Sequence, residues 1–116
     1  MLFRIFYLDD EPDLCEMFKD IYESDWVSIL TFNKPEEAIR EIQRNPPHLI
    51  LLDYRLPETT GDKIAIRLQT SIPIALLSGD LILEPQYKFV KLFYKPFNLD
   101  EMKEFIESYE IPYRTS

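Results

Sequence analysis

An α/β fold built on a doubly wound, five-stranded parallel sheet is the architecture this sequence predicts, and three observations predict it. Short apolar runs without polar alternation, such as Leu49 to Leu52, suit strands covered by helices on both faces. These runs alternate with segments whose apolar residues recur at helical spacing, the pattern of a parallel sheet with crossover helices. At 116 residues the chain has about half the length of a closed α/β barrel, which leaves the open sheet. Five strands and about five helices are expected.

The elements follow in order. Leu2 to Leu8 read as the first strand, apolar apart from Arg4 and therefore central in the sheet. It ends in Asp9, Asp10 and Glu11. Pro12 suits a first helical turn, and Leu14, Met17, Phe18, Ile21 and Tyr22 are spaced to line one helix face as far as Glu23. Trp26 to Phe32 supply the β-branched and aromatic residues of a second strand. Asn33 and Glu36 then form a capping pair for a helix to Arg44, which Pro46 and Pro47 end. The third strand stops at Asp53, Pro57 and Gly61 punctuate a loop, and a helix from Asp62 to Thr70 turns Ile64, Ala65 and Leu68 inward.

Pro73 opens the fourth strand, Ile74 to Ser78. The stretch from Gly79 to Lys88 has room for only about one or two helical turns, starting near Glu84 and Pro85, so the fourth helix is expected to be short or missing. A last strand near Val90 to Tyr94 meets Lys95 and Pro96. Asn98 with Glu101 forms a second capping pair, Phe97 and Met102 are placed to staple it, and Met102, Phe105, Ile106 and Tyr109 give the final helix its apolar stripe.

Composition bounds the function. An apolar share of 46% against 29% charged residues is that of a globular protein, and a single domain over residues 1–116 is expected, with no output domain after it. A net charge of minus eight repels phosphate backbones and anionic lipid, which argues against nucleic-acid or membrane partners and for proteins or small phosphorylated molecules. Cys15 has no disulfide partner and sits among helix-spaced apolar residues, as a buried thiol does. His48, the only histidine, has no companions with which to hold a metal. With no signal-like start and no apolar span, the expected compartment is the cytoplasm.

The chemistry lies at the strand ends. Asp53 closes an apolar strand, a position that a strand terminator or helix cap fills as readily as a ligand-binding carboxylate. Asp9 and Asp10 follow the first strand, however, Ser78 ends the fourth and Lys95 follows the fifth. Parallel strands bring all of these to one edge. Three carboxylates repel one another beyond what one lysine neutralises, and a divalent cation resolves the repulsion. Oxygen-only ligands point to Mg2+. In that setting Asp53 can be a carboxylate nucleophile for a phosphoryl group, Lys95 can neutralise developing charge, and Ser78 can donate a hydrogen bond to the phosphoryl oxygens. Gly79 leaves the approach open.

LDDEPD, LLDYRLPETTG, LLSG and YKPF together resemble the response-regulator receiver domain of bacterial two-component signalling, over essentially the whole chain. The resemblance implies a flavodoxin-like fold with strand order 2-1-3-4-5, Asp53 as phosphoacceptor, and Asp10 as a direct Mg2+ ligand with Asp9 assisting. Asp53 and the backbone carbonyl of Arg55 complete the implied ligand set. A cis Lys95–Pro96 peptide is implied as well, as is a histidine kinase or histidine phosphotransfer protein as donor and a downstream protein as target. Two departures stand out: Leu92 takes a position where the family carries an aromatic residue, and the Ser78 to Lys95 interval of seventeen positions is short. Arg55 and Asp80 are placed to pair across the phosphate. Two other readings use the same residues: a binding module that works without phosphorylation, and an Mg2+-dependent phosphatase with an aspartyl intermediate. The second lacks a further acid two positions after Asp53.

Overall fold

The structure, a computed structural model of the chain, describes residues 1–81 and 84–116. Five strands form one parallel sheet: β1 (Phe3–Leu8), β2 (Val27–Phe32), β3 (Leu49–Asp53), β6 (Ile74–Ser78) and β7 (Lys91–Tyr94). Their order is β2-β1-β3-β6-β7, which is the expected 2-1-3-4-5 once a two-residue hairpin, β4 (Arg55–Leu56) with β5 (Thr59–Thr60), is set aside. Four helices connect them among the described residues: α1 (Pro12–Tyr22), α2 (Pro35–Arg44), α3 (Gly61–Leu68) and α4 (Leu99–Thr115).

Side-chain alternation along the strands sorts the core into two layers. Phe3, Ile5, Tyr7, Leu49, Leu51, Ala75, Leu77 and Phe93 face α1 and α4, whereas Phe6, Leu8, Ile50, Leu52, Ile74 and Leu76 face α2 and α3. β3 is buried along its whole length, which accounts for its unbroken apolar run. Burial of each such side chain contributes about 1.5–3 kcal/mol, so the central strands anchor whatever their ends present.

Two local expectations are corrected, and that of a short or missing fourth helix is met among the described residues. α1 turns Cys15, Phe18 and Tyr22 inward and leaves Met17 and Ile21 exposed; Phe18 packs between Tyr7 and Tyr22 with ring centroids 4.6 and 4.8 Å away, and the Cys15 thiol donates to the Asp9 carbonyl. Asn33 does not cap α2. Its side-chain amide donates to the Asp9 carbonyl at 3.1 Å instead, and the helix starts at Pro35 without a side-chain cap. Between β6 and β7 the described residues 84–90 form no helical turn. Pro85, Tyr87 and Phe89 are half-buried while Gln86, Lys88 and Val90 are exposed; Tyr87 and Phe89 pack on the second core layer, and the Phe89 amide donates to the Tyr87 carbonyl at 3.1 Å in a tight turn.

α4 begins as expected: Asn98 Oδ1 accepts from the Glu101 amide at 2.9 Å, and Phe97 packs on the same core layer as Met102. The helix runs through Pro112, a residue that costs about 3 kcal/mol inside a helix. Its last turns offset that cost by packing. Tyr113 meets His48 and Phe3 with ring centroids 4.3 and 5.7 Å apart, and Arg114 lies over Trp26 while pairing with the buried Glu110 at 2.7 Å.

Candidate functional site: an acidic pocket at the carboxyl edge of the sheet

Asp9 is the fixed member of the site. It extends β1 by one residue, its amide donating to the Phe32 carbonyl at 3.0 Å, and it is fully buried. Its Oδ2 accepts from the Tyr7 hydroxyl at 2.5 Å and from Lys95 Nζ at 2.9 Å, and its Oδ1 accepts from the Glu11 amide at 3.0 Å. Its carbonyl takes the Asn33 amide and the Cys15 thiol. Both carboxylate oxygens and the carbonyl thus have partners in a site closed to water.

Asp53 lies beside it at the end of β3, 4% exposed. The strand end is held from two sides: the Tyr54 amide donates to the Leu77 carbonyl, and the Gly61 amide donates to the Tyr54 carbonyl, both at 2.8 Å. A Cβ on Gly61 would stand 2.7 Å from the Asp53 carbonyl oxygen and 2.6 Å from Leu76, so only glycine allows α3 to start this close to the strand. Gly79, by contrast, faces open space.

Lys95 bridges the two acids. Its amide donates to the Ser78 carbonyl at 2.7 Å, its peptide bond to Pro96 is cis, and its ammonium sits 2.9 Å from Asp9 and 3.0 Å from Asp53, with Glu11 at 3.8 Å. Burial lowers the lysine pKa, but the hydrogen bonds to Asp9 and Asp53 outweigh it and the net shift is upward. Burial, then the Asp9 charge, pushes the Asp53 carboxyl up to about 6 against the opposing pull of Lys95. Burial followed by the Asp9 charge also lifts the Cys15 thiol to about 11, which keeps it protonated and unreactive. Tyr7 is raised for the same two reasons, and its hydroxyl stays a donor.

Asp10 is exposed at the rim, and carboxylate oxygens of Asp9, Asp10 and Asp53 lie within 4.8 Å of one another. Three carboxylates against one ammonium leave an excess of negative charge in a partly dry pocket. The donor set is oxygen only, so it fits a hard divalent cation and suits neither zinc nor copper.

Of the residues singled out from sequence, Asp9, Asp10, Asp53 and Lys95 therefore converge. Ser78 reaches the same edge and is buried, but its hydroxyl is engaged with the backbone of Asp80, donating to the carbonyl at 2.8 Å and accepting from the amide at 2.9 Å. Arg55 is exposed at the start of β4, and its guanidinium is hydrogen-bonded to the Asp80 carboxylate. Leu92 is half-buried and packs on the second core layer with Tyr87 and Phe89, while Phe93 faces the opposite layer. Sequence reading missed Tyr7, Asn33 and Glu11. Tyr7 was legible from strand alternation, which puts it on the side chain of Asp9 two residues on; the Asn33 contact spans 24 positions and left no local signal.

Residues 5–107 match the family model described as the response regulator receiver domain. The chain is 29% identical over 112 residues to the nitrogen assimilation regulatory protein NtrX of Azorhizobium caulinodans, covering 88% of this chain and 25% of that one. It is 30% identical over 82 residues to the transcriptional regulatory protein CssR of Bacillus subtilis, covering 68% of this chain and 36% of the relative. The chain thus spans well under half the length of these two relatives. A signal receiver domain from Vibrio parahaemolyticus superposes with a TM-score of 0.87 at 20% identity, over 99% of this chain and 95% of the other.

Proposed function

We propose, from the premise that this chain belongs to the response-regulator receiver family, that it is a phosphoaccepting switch in which Asp53 takes a phosphoryl group from a phosphohistidine. The observation that carries this is the convergence of Asp9, Asp10 and Asp53 around a single lysine at one sheet edge. An Asp53 carboxylate oxygen attacks phosphorus, the P–N bond of the donor histidine breaks, and the departing imidazole keeps the electron pair and takes up a proton. Lys95 draws off negative charge from the phosphoryl oxygens. The Ser78 hydroxyl leaves Asp80 to donate to one of them. Asp10, Asp53 and the Arg55 carbonyl, with Asp9 assisting, would hold Mg2+, which supplies charge neutralisation for the incoming phosphoryl group.

The donor would be a histidine kinase or a histidine phosphotransfer protein, and the modified surface would act on a downstream protein in the cytoplasm. Arg55, two positions after Asp53, pairs with Asp80, two positions after Ser78, and the pair would hinder the water that hydrolyses the acyl phosphate. Arg55→Ala is then expected to shorten the phosphoryl lifetime severalfold; an unchanged lifetime counts against this role. The reading itself is tested by exposing the protein to a small acyl phosphate with Mg2+. The phosphate taken up should be released by hydroxylamine, as an acyl phosphate is, and should be missing from Asp53→Asn. Hydroxylamine-resistant label would assign the acceptor to another residue type.

A further inference from the structure

Among the described residues, two buried acids lie outside the acidic pocket. Glu110 is neutralised by Arg114, but Asp62 has no ion-pair partner among the described residues. It is 5% exposed; its Oδ2 accepts from the Gln86 amide at 2.6 Å, and its Oδ1 is buried without a hydrogen-bond partner among the described residues. The bond to Gln86 is charge-assisted and strong, while the orphan oxygen carries an uncompensated desolvation penalty. Opening the contact would return both oxygens to water, which offsets part of the cost of the lost bond.

Asp62 is joined to the pocket through packed backbone. Gly61 precedes it and is wedged against the Asp53 carbonyl and Leu76, so the end of β3 and the first turn of α3 are closely packed together. On the facing side, the Ser78 hydroxyl is held by the Asp80 backbone and must abandon it to reach a phosphoryl group on Asp53. Ser78 precedes Gln86 by eight residues. Both sides of the pocket therefore bear on the segment that Asp62 grips.

We propose that Asp62 holds residues 84–90 in the conformation of the unmodified protein, and that its bond to the Gln86 amide opens when Asp53 carries a phosphoryl group. The strength of this contact then sets part of the switching equilibrium. This inference rests on the phosphoacceptor reading of Asp53. It gives the pocket a route to the β7 surface that needs no aromatic side chain at Leu92. Linkage is reciprocal: if occupation of the pocket opens the contact, removing the contact strengthens occupation by the same factor.

The probe is beryllium fluoride with Mg2+, titrated into wild type, Asp62→Ala and Asp62→Asn while amide exchange is followed at Gln86. Asp62→Ala is expected to exchange Gln86 about tenfold faster or more, with core amides of β3 unaltered, and to bind the fluoride complex about three- to tenfold more tightly. Asp62→Asn keeps an acceptor oxygen and stays near wild type. In wild type alone, Gln86 protection should fall on saturation with the probe, a measurement that stands even if Asp62→Ala does not fold. Unchanged Gln86 protection in Asp62→Ala or in the saturated wild type overturns the proposal, as does faster exchange with unaltered affinity. A wild type that does not bind the probe at all overturns it together with the phosphoacceptor reading; the other outcomes leave that reading intact.

Discussion

At the scale of single residues, the site works by making Asp53 uncomfortable. Its carboxyl is pushed up to about 6 from an ordinary value of 3.8, first by burial and then by Asp9. A group whose folded pKa is raised contributes stability that is fully present below its unfolded pKa, near 4, and is lost as pH rises through 6. Metal-free wild type should therefore lose about 2–3 kcal/mol between pH 4 and pH 7 from this group. Asp53→Asn should escape that loss. Urea denaturation in chelator should show the variant gaining on wild type across that window and holding a constant advantage above it; parallel stability curves would mean that Asp53 is not strained. The sequence displayed these charges plainly, because apolar strands ending in acids and lysine are visible without coordinates. It did not display the state of Ser78, whose hydroxyl is occupied by the neighbouring Asp80 backbone in the unmodified protein.

At the scale of elements, local rules succeeded where an element is fixed by its own residues and failed where a distant partner decides. Asn98 caps α4 because nothing competes for its oxygen. Asn33 carries the same local signature before α2, yet the end of β1 claims its amide. Aspartate is as good a helix cap as asparagine but cannot donate, so Asn33→Asp separates the two roles. We expect it to cost about 1–3 kcal/mol, read from the denaturation midpoint, because it leaves the Asp9 carbonyl short of a donor and adds a carboxylate beside the pocket. A neutral or stabilising outcome would restore Asn33 to capping. The stretch before β7 was legible only by exclusion: seventeen positions from Ser78 to Lys95 left too little chain for a full helix. What took its place, an irregular segment tied to Asp62 across 24 positions, has no periodic signal of its own. The inward face of α1 is likewise set from outside the helix, since Phe18 packs on Tyr7 of β1.

At the scale of the whole molecule, the parallel sheet brings three carboxylates, a hydroxyl and an ammonium to one edge, from the ends of β1, β3, β6 and β7, while helices pack on both faces. The fold was legible because the strand and helix periods are strong and the topology of short crossovers leaves few alternatives. Net negative charge makes the pocket a poor phosphate binder by itself, so modification should depend on a divalent cation rather than on the protein's own field. That dependence is the sharpest claim about the molecule. The measurement that tests it is intact-protein mass after incubation with a small acyl phosphate, for wild type and Asp53→Asn, each with Mg2+ and with chelator. A gain of one phosphoryl group in wild type with Mg2+ alone is the expected result. A gain that survives chelation or persists in Asp53→Asn, or no gain in folded wild type that binds Mg2+, would contradict the assignment of Asp53 as the phosphoacceptor.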